Sequence, residues 1–152
     1  MERSLIIIKP DGIQRGLIGE ILHRFERKSL KVVGLKMIRF DEALLQEHYA
    51  HVADKPFFAE MAEFMSSSPV VVLVIEGYQA VEIVRTVSGV KAIDMGSIRG
   101  DFALSGQRNI VHSSDSPETA KKEIERFFKD EEIFEYEKDE WVHTLAEKEK
   151  NS

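Results

Sequence analysis

The run VVVLVIEG, residues 70–77, limits what this chain can become more than any other stretch. It is aliphatic and largely β-branched without polar alternation, which marks a strand covered on both faces and therefore central in its sheet. Residues 4–9, SLIIIK, read as a second buried strand, and KVVGLKMIRF at 31–40 partly alternates and reads as a third. A fourth, carrying Ile110 and Val111, runs into His112. The connections have helical spacing. Ile18, Ile21, Leu22 and Phe25 form a one-sided stripe that predicts a helix from Gly16 or Leu17 to about Lys28, following a turn in PDGIQRG. Asp41 is placed to cap a helix through EALLQEHYAH, and FFAEMAEFM continues the helical pattern beyond Pro56. Val81, Val84 and Val87 share a helix side that Gly89 stops. A last helix over 117–128 buries Ile124, Phe127 and Phe128.

The order β-α-β-α-α-β-α-β-α predicts an α/β (α+β) sandwich of the ferredoxin-like, split βαβ kind: an antiparallel four-stranded sheet with helices covering its faces. With 152 residues and no linker or repeat, the chain reads as one domain over 1–143 with a flexible tail at 144–152. No apolar run approaches the ~20 residues of a membrane span, and the four-residue run in MERSLIIIKPDG is too short for a secretory signal. The absence of cysteine rules out disulfides, thiolate metal sites and cysteine catalysis, and leads to the expectation of a cytoplasmic protein. A net charge of −6 argues against nucleic acid as partner. It leaves room for small phosphorylated ligands wherever a few cations converge, and Lys9, Arg85, Arg99 and Arg108 are the candidates.

The segment RNIVHSSDSPE, residues 108–118, carries the most chemistry. Ser114, Asp115 and Ser116 are good N-cap residues and Pro117 suits a first helical turn, so His112 stands where a strand meets a helix N-terminus and anions can be held. A neutral imidazole is a good nucleophile if one ring nitrogen is unprotonated and the other is held by an acceptor. Glu123, on the next helix, is in place to turn back and serve as that acceptor, and Ser114 is a nearby donor. A lone histidine here would equally serve as a buried structural group. The other candidates are as ambiguous singly. Lys9 ends the first strand as an anion contact or a snorkelling lysine. Arg99, in the Gly-flanked IRGDF, offers a planar fork for phosphate oxygens, while Arg85 reads as a solvated helix residue. Tyr49, Phe57 and Phe58, flanking HVADKP, stack on a base or simply fill the core. His48 and His51 lack any supporting metal-ligand pattern, and His23 and His143 read as surface residues.

Taken together and in order, IKPDGIQRGLIGEILHRFE, EHYAHVADKPFF, SSPVVVLVIEG, SIRGDF and RNIVHSSDSPETAKKEI resemble the nucleoside diphosphate kinase family, from about Ser4 to Tyr136. The resemblance implies ping-pong transfer of the terminal phosphoryl of a nucleoside triphosphate to a diphosphate, through a phosphohistidine. It implies His112 as nucleophile, Glu123 as the carboxylate orienting its ring, and Ser114 supporting the site. It assigns Lys9 and Asn109 to sugar hydroxyls and phosphate oxygens, Tyr49 to positioning, Phe57 to stacking on the base, and Arg85 and Arg99 to the phosphates. Mg²⁺ is expected on the nucleotide phosphates rather than in a protein cage, and the partners implied are nucleoside di- and triphosphates and copies of the same chain, as dimer, tetramer or hexamer.

One region departs from the family pattern. GVKAIDMGSIRGDF is about three residues shorter than usual after Gly89 and lacks a threonine and a proline. Lys91 stands near the missing threonine. The shortening bears on subunit contacts and predicts lower thermal stability than in long-loop relatives. It also leaves an alternative, a nucleotide-binding or regulatory protein of the same fold with weak transfer activity.

Overall fold

A computed structural model describes all 152 residues. The strands are β1 (Glu2–Ile8), β2 (Lys31–Ile38), β3 (Val70–Gly77) and β4 (Val111–Ser113), ordered β2-β3-β1-β4 with every neighbouring pair antiparallel. This is the expected four-stranded α+β sheet, with β1 and β3 in its middle. Leu5 pairs with Val74 and Ile6 with Leu73 across them, while β4 hangs on β1 with His112 opposite Ile7.

Successive strand residues point to opposite faces, so the sheet separates two cores. Ile6, Ile8, Leu73, Ile75 and Val111 pack on one face against Ile21, Phe25, Val84 and Ile98. Leu5, Ile7, Val72 and Val74 pack on the other against Phe40, Leu45, Met65 and Phe127. Burying side chains of this size is worth about 1.5–3 kcal/mol each. The residues packed against the sheet come from the helices α2 (Ile18–Arg27), α3 (Glu42–His48), α4 (Phe58–Ser66), α5 (Ala80–Ser88), α6 (Ile98–Phe102) and α7 (Pro117–Phe127), apart from Phe40, which precedes α3. Asp41 caps α3 by accepting from Leu44 N at 2.8 Å, and Ser116 caps α7 by accepting from Thr119 N at 3.1 Å.

Two local readings need correction. PDGIQRG is not a plain turn: Pro10–Gln14 form a short helix, α1, because proline at the first helical position supplies the required φ and loses no hydrogen bond there. The last strand begins at Val111, since Ile110 has φ +76° and cannot be extended. A short helix, α8 (Trp141–Thr144), leads into the C-terminal stretch from 144 on, where Glu147–Lys150 form another, α9. Just ahead of it, Trp141 Nε1 donates to Ser29 O at 2.7 Å. Lys31 Nζ sits 4.9 Å from the Trp141 ring centre and 5.1 Å from that of Tyr136, paired with Glu76 at 2.8 Å. No helix is long and apolar enough to cross a membrane.

Candidate active site

β4 and the segment before it place the central side chains. Ile110 is fully buried with a left-handed backbone, a strained choice for a β-branched residue that costs on the order of 1–3 kcal/mol. Two bonds hold it there: its amide donates to Asp11 Oδ2 at 2.9 Å and its carbonyl accepts from Lys9 N at 2.8 Å. The end of β1 thereby fixes the approach to His112 and brings Lys9 Nζ to Asn109 Oδ1 at 2.8 Å. Burial and the neighbouring Arg99 lower the Lys9 pKa to about 8, against a smaller opposing effect of Asp11.

The His112 ring lies between two cavities. The first, of about 330 Å³, is lined by Lys9, Tyr49, Phe57, Phe64, Arg108 and Asn109. The second, of about 400 Å³, is walled by Arg85, Arg99, Asp115, Lys122 and Arg126. One is partly aromatic and suits a base and sugar; the other is cationic and suits phosphates. Tyr49 and His112 border both. Phe57 stands 47% exposed on the rim of the first, open to stacking. The guanidinium of Arg108 lies 5.3 Å from the centre of the Phe64 ring. Phe58 does not line this cavity.

Nε2 of His112 lies 2.5 Å from Oε2 of Glu123, whose side chain is almost wholly buried. Burial alone would raise the pKa of this carboxyl. The hydrogen bond and charge of His112, with help from the Ser114 hydroxyl and His48, outweigh it and hold the group below the ordinary glutamate range. An ionised carboxylate only accepts, so the His112 proton belongs on Nε2 and the lone pair on Nδ1. Ser114 Oγ accepts from Leu5 N at 3.1 Å and donates to Leu5 O at 3.4 Å, which fixes the hydroxyl near Glu123.

Arg99 spends three donors on backbone: Nη1 on Gly89 O (2.6 Å), Nη2 on Val111 O (2.5 Å) and Nε on Asn109 O (3.4 Å). Two of the five guanidinium N–H groups remain for a ligand. Arg85 is exposed at the rim. The short loop between them is closely bonded. Asp94 accepts from Val90 N (2.9 Å) and Lys91 N (2.8 Å), Ser97 Oγ donates to Asp94 O (2.6 Å), and Gly96 N donates to Asp101 Oδ1 (2.9 Å). Arg24 pins Asp101 from α2 at 2.6 Å. The bend needs its glycines: a Cβ on Gly89 (φ +81°) would collide with Ser97 Oγ, and one on Gly100 with Asp94 O. Lys91 borders neither cavity.

His48 was not singled out for this site. It is buried, with its ring edge-on to His112 at 5.1 Å between centroids, and Arg126 Nη1 lies 2.8 Å from its Nδ1. The signal was its place on the inward stripe of α3, beside Leu44 and Leu45. Ligand atoms of His48, His112 and Glu123 fall within 4.8 Å of one another. They do not form a metal site. Arg126 occupies Nδ1 of His48, and the 2.5 Å contact is a hydrogen bond, closer than the ~3.3 Å between nitrogen or oxygen ligands on one tetrahedral zinc. His51 is exposed and does not join them.

A family model for nucleoside diphosphate kinase matches residues 2–133. The chain belongs to the nucleoside diphosphate kinase family. It is similar to the nucleoside diphosphate kinase of Parabacteroides distasonis, at 52% identity over 90% of this chain and 92% of that protein. It is also similar to that of Archaeoglobus fulgidus, at 45% identity over 94% and 98%. Among solved structures, the halophilic nucleoside diphosphate kinase of Halobacterium salinarum in complex with CDP superposes with a TM-score of 0.91. It is 42% identical, over 95% of this chain and 99% of that one. The Borrelia burgdorferi nucleoside-diphosphate kinase, solved as a transition state mimic with bound vanadate and ADP, gives 0.85 at 36% identity, over 93% and 95%.

Proposed function

We infer that this protein is a nucleoside diphosphate kinase that moves the terminal phosphoryl of a nucleoside triphosphate to a diphosphate, by ping-pong through a phosphohistidine on His112. The observation that carries the reading is the pairing of His112 Nε2 with a buried, ionised Glu123, which leaves Nδ1 as the free nucleophile between a base-sized and a phosphate-sized cavity. Nδ1 attacks the terminal phosphorus, the bond to the bridging oxygen breaks, and the diphosphate leaves with that electron pair. Glu123 neutralises the ring, which becomes cationic as it takes the phosphoryl, and Ser114 holds Glu123. A second diphosphate reverses the step.

Phosphoryl transfer spreads charge over equatorial oxygens, so positioned cations supply most of the catalysis. Lys9, Arg85 and the free edge of Arg99 take this role. Asn109 bonds Lys9 and serves the sugar hydroxyls, Tyr49 borders both ends of the nucleotide, and Phe57 stacks on the base. Stacking reads any base face, so broad nucleotide use follows. A divalent metal belongs to this chemistry, and we assign Mg²⁺. The donor set fits an ion carried by the phosphates: Glu123 is committed to His112, and Asp115 is the other carboxylate lining the cationic cavity. Asp115 would hold the ion from the protein side, and the ion would supply charge neutralisation of the phosphates.

We also propose that the protein works as a homo-oligomer. Support comes from the apolar side chains of Val90, Ile93 and Met95 on the short loop and of Leu104 nearby, 68%, 77%, 79% and 100% exposed.

The test is incubation with γ-labelled ATP and no acceptor. Base-stable, acid-labile label is expected on the wild type, discharged by any diphosphate and absent from His112→Ala. Label that survives His112→Ala would remove the assignment.

A further inference from the structure

The carboxylate that orients His112 has a second imidazole beside it. Oε2 of Glu123 is 2.5 Å from Nε2 of His112 and 3.8 Å from Nδ1 of His48. A proton on that Nδ1 would bring a second donor close to the oxygen already serving His112. The guanidinium of Arg126 prevents this: Nη1 lies 2.8 Å from His48 Nδ1, and arginine can only donate. We propose that Arg126 is a positioning residue, which holds His48 as a neutral acceptor and so reserves Glu123 for His112.

The proposal rests on His112 being the phosphoryl acceptor. It gives Arg126 a task that its ion pair with Glu47 does not explain, since that contact is 3.6 Å long and its glutamate is 63% exposed. The groups facing His48 are few and all named. His51 and Tyr49 follow it in the chain, Glu123 and Arg126 reach it from α7, and His112 faces it from β4; the Phe40 and Phe127 rings close the rest. Burial, His112 and Arg126 lower the His48 pKa to about 3, against the attraction of Glu123. With Nδ1 occupied, the one proton of the neutral ring sits on Nε2, away from the carboxylate. Phosphorylation makes the His112 ring cationic, and that is when an undivided Glu123 matters most.

Arg126→Met keeps the apolar stem and removes the donors; Arg126→Lys restores one. In Arg126→Met, kcat is expected to fall about 10-fold at neutral pH, the size of effect seen when groups supporting a reactive centre are lost. The loss should deepen as pH falls, because Arg126 is one of the groups that keep His48 neutral. KM for nucleotide should hardly move, and Arg126→Lys should recover part of the rate. Long-range ¹H–¹⁵N spectra should show His48 Nδ1 unprotonated in the wild type and protonated in Arg126→Met. Two outcomes would overturn the proposal: an unprotonated Nδ1 in both proteins with superimposable pH profiles, or a rise in KM with unchanged kcat, which would make Arg126 a phosphate contact. Failure of His112 to take label would instead sink the reading of the nucleophile, and the tautomer measurement would still decide Arg126.

Discussion

The two walls around His112 are held in opposite ways. Behind it, Glu123, Ser114 and His48 are buried, and His48 is packed against the core rings of Phe127 and Phe40. In front of it stand Arg85 and Arg99, linked by residues 90–96, which are largely exposed and kept in shape by polar bonds from Asp94, Ser97 and Asp101. The proposed nucleophile is thus aimed by packing, and the proposed phosphate clamp is aimed by caps. Damage behind should appear in the chemical step, and damage in front should appear in nucleotide affinity.

The sharpest way to break this contrast is Glu123→Gln, which keeps the shape and removes the charge. It is expected to lower the rate of His112 phosphorylation about 10³-fold, within the span usual for a lost acid–base partner. KM should be nearly unchanged in single-turnover measurements. A rise in KM of comparable size would erase the distinction between the walls.

Lys9 lies on the boundary between them, and pH probes it without mutation. Its pKa of about 8 lies below that of an unfolded lysine, so the cost of keeping it charged in the free protein is present below pH 8 and disappears as pH rises from 8 toward 10.5. A bound anion favours the charged form. Nucleotide binding should therefore be strongest below pH 8 and weaken by about 10-fold between pH 7 and pH 9. Proton uptake should appear on binding above pH 8, read by calorimetry in buffers of different ionisation enthalpy. Affinity flat across that range would remove Lys9 from the ligand.

The mildest effect is expected of Asp94→Ala, which frees the amides of Val90 and Lys91. KM should rise about 5-fold, the scale of one net hydrogen bond, with kcat retained. A collapse of kcat would mean that the loop aims His112 as well as the phosphate.

The strands, the long helices and both faces of the core were legible because periodicity alone assigns Ile6 and Leu5, or Ile21 and Phe25, to their sides. The family motifs brought most site residues within reach. What stayed hidden was non-local. Arg126 and His48 are 78 positions apart and meet through the packing of two helices. Nothing in the word NIVH announces the left-handed backbone of Ile110, which depends on Asp11 and Lys9 about a hundred residues earlier. The bonding of the short loop was equally invisible, because Asp94 and Ser97 read as ordinary solvent residues until Gly89 and Gly100 bring the backbone close.

The position of β1 in the sheet has a consequence for how the molecule is made. This strand leaves the ribosome before both strands it pairs with, residues 70–77 and 111–113. Its apolar run Leu5–Ile8 must stay unpaired through most of synthesis, at about 5–20 residues per second. The reactive imidazole acquires its carboxylate only once Glu123 has emerged. Until its partner strands emerge, the apolar segment Leu5–Ile8 has no sheet to enter, and it is the part that most needs shelter while translation proceeds.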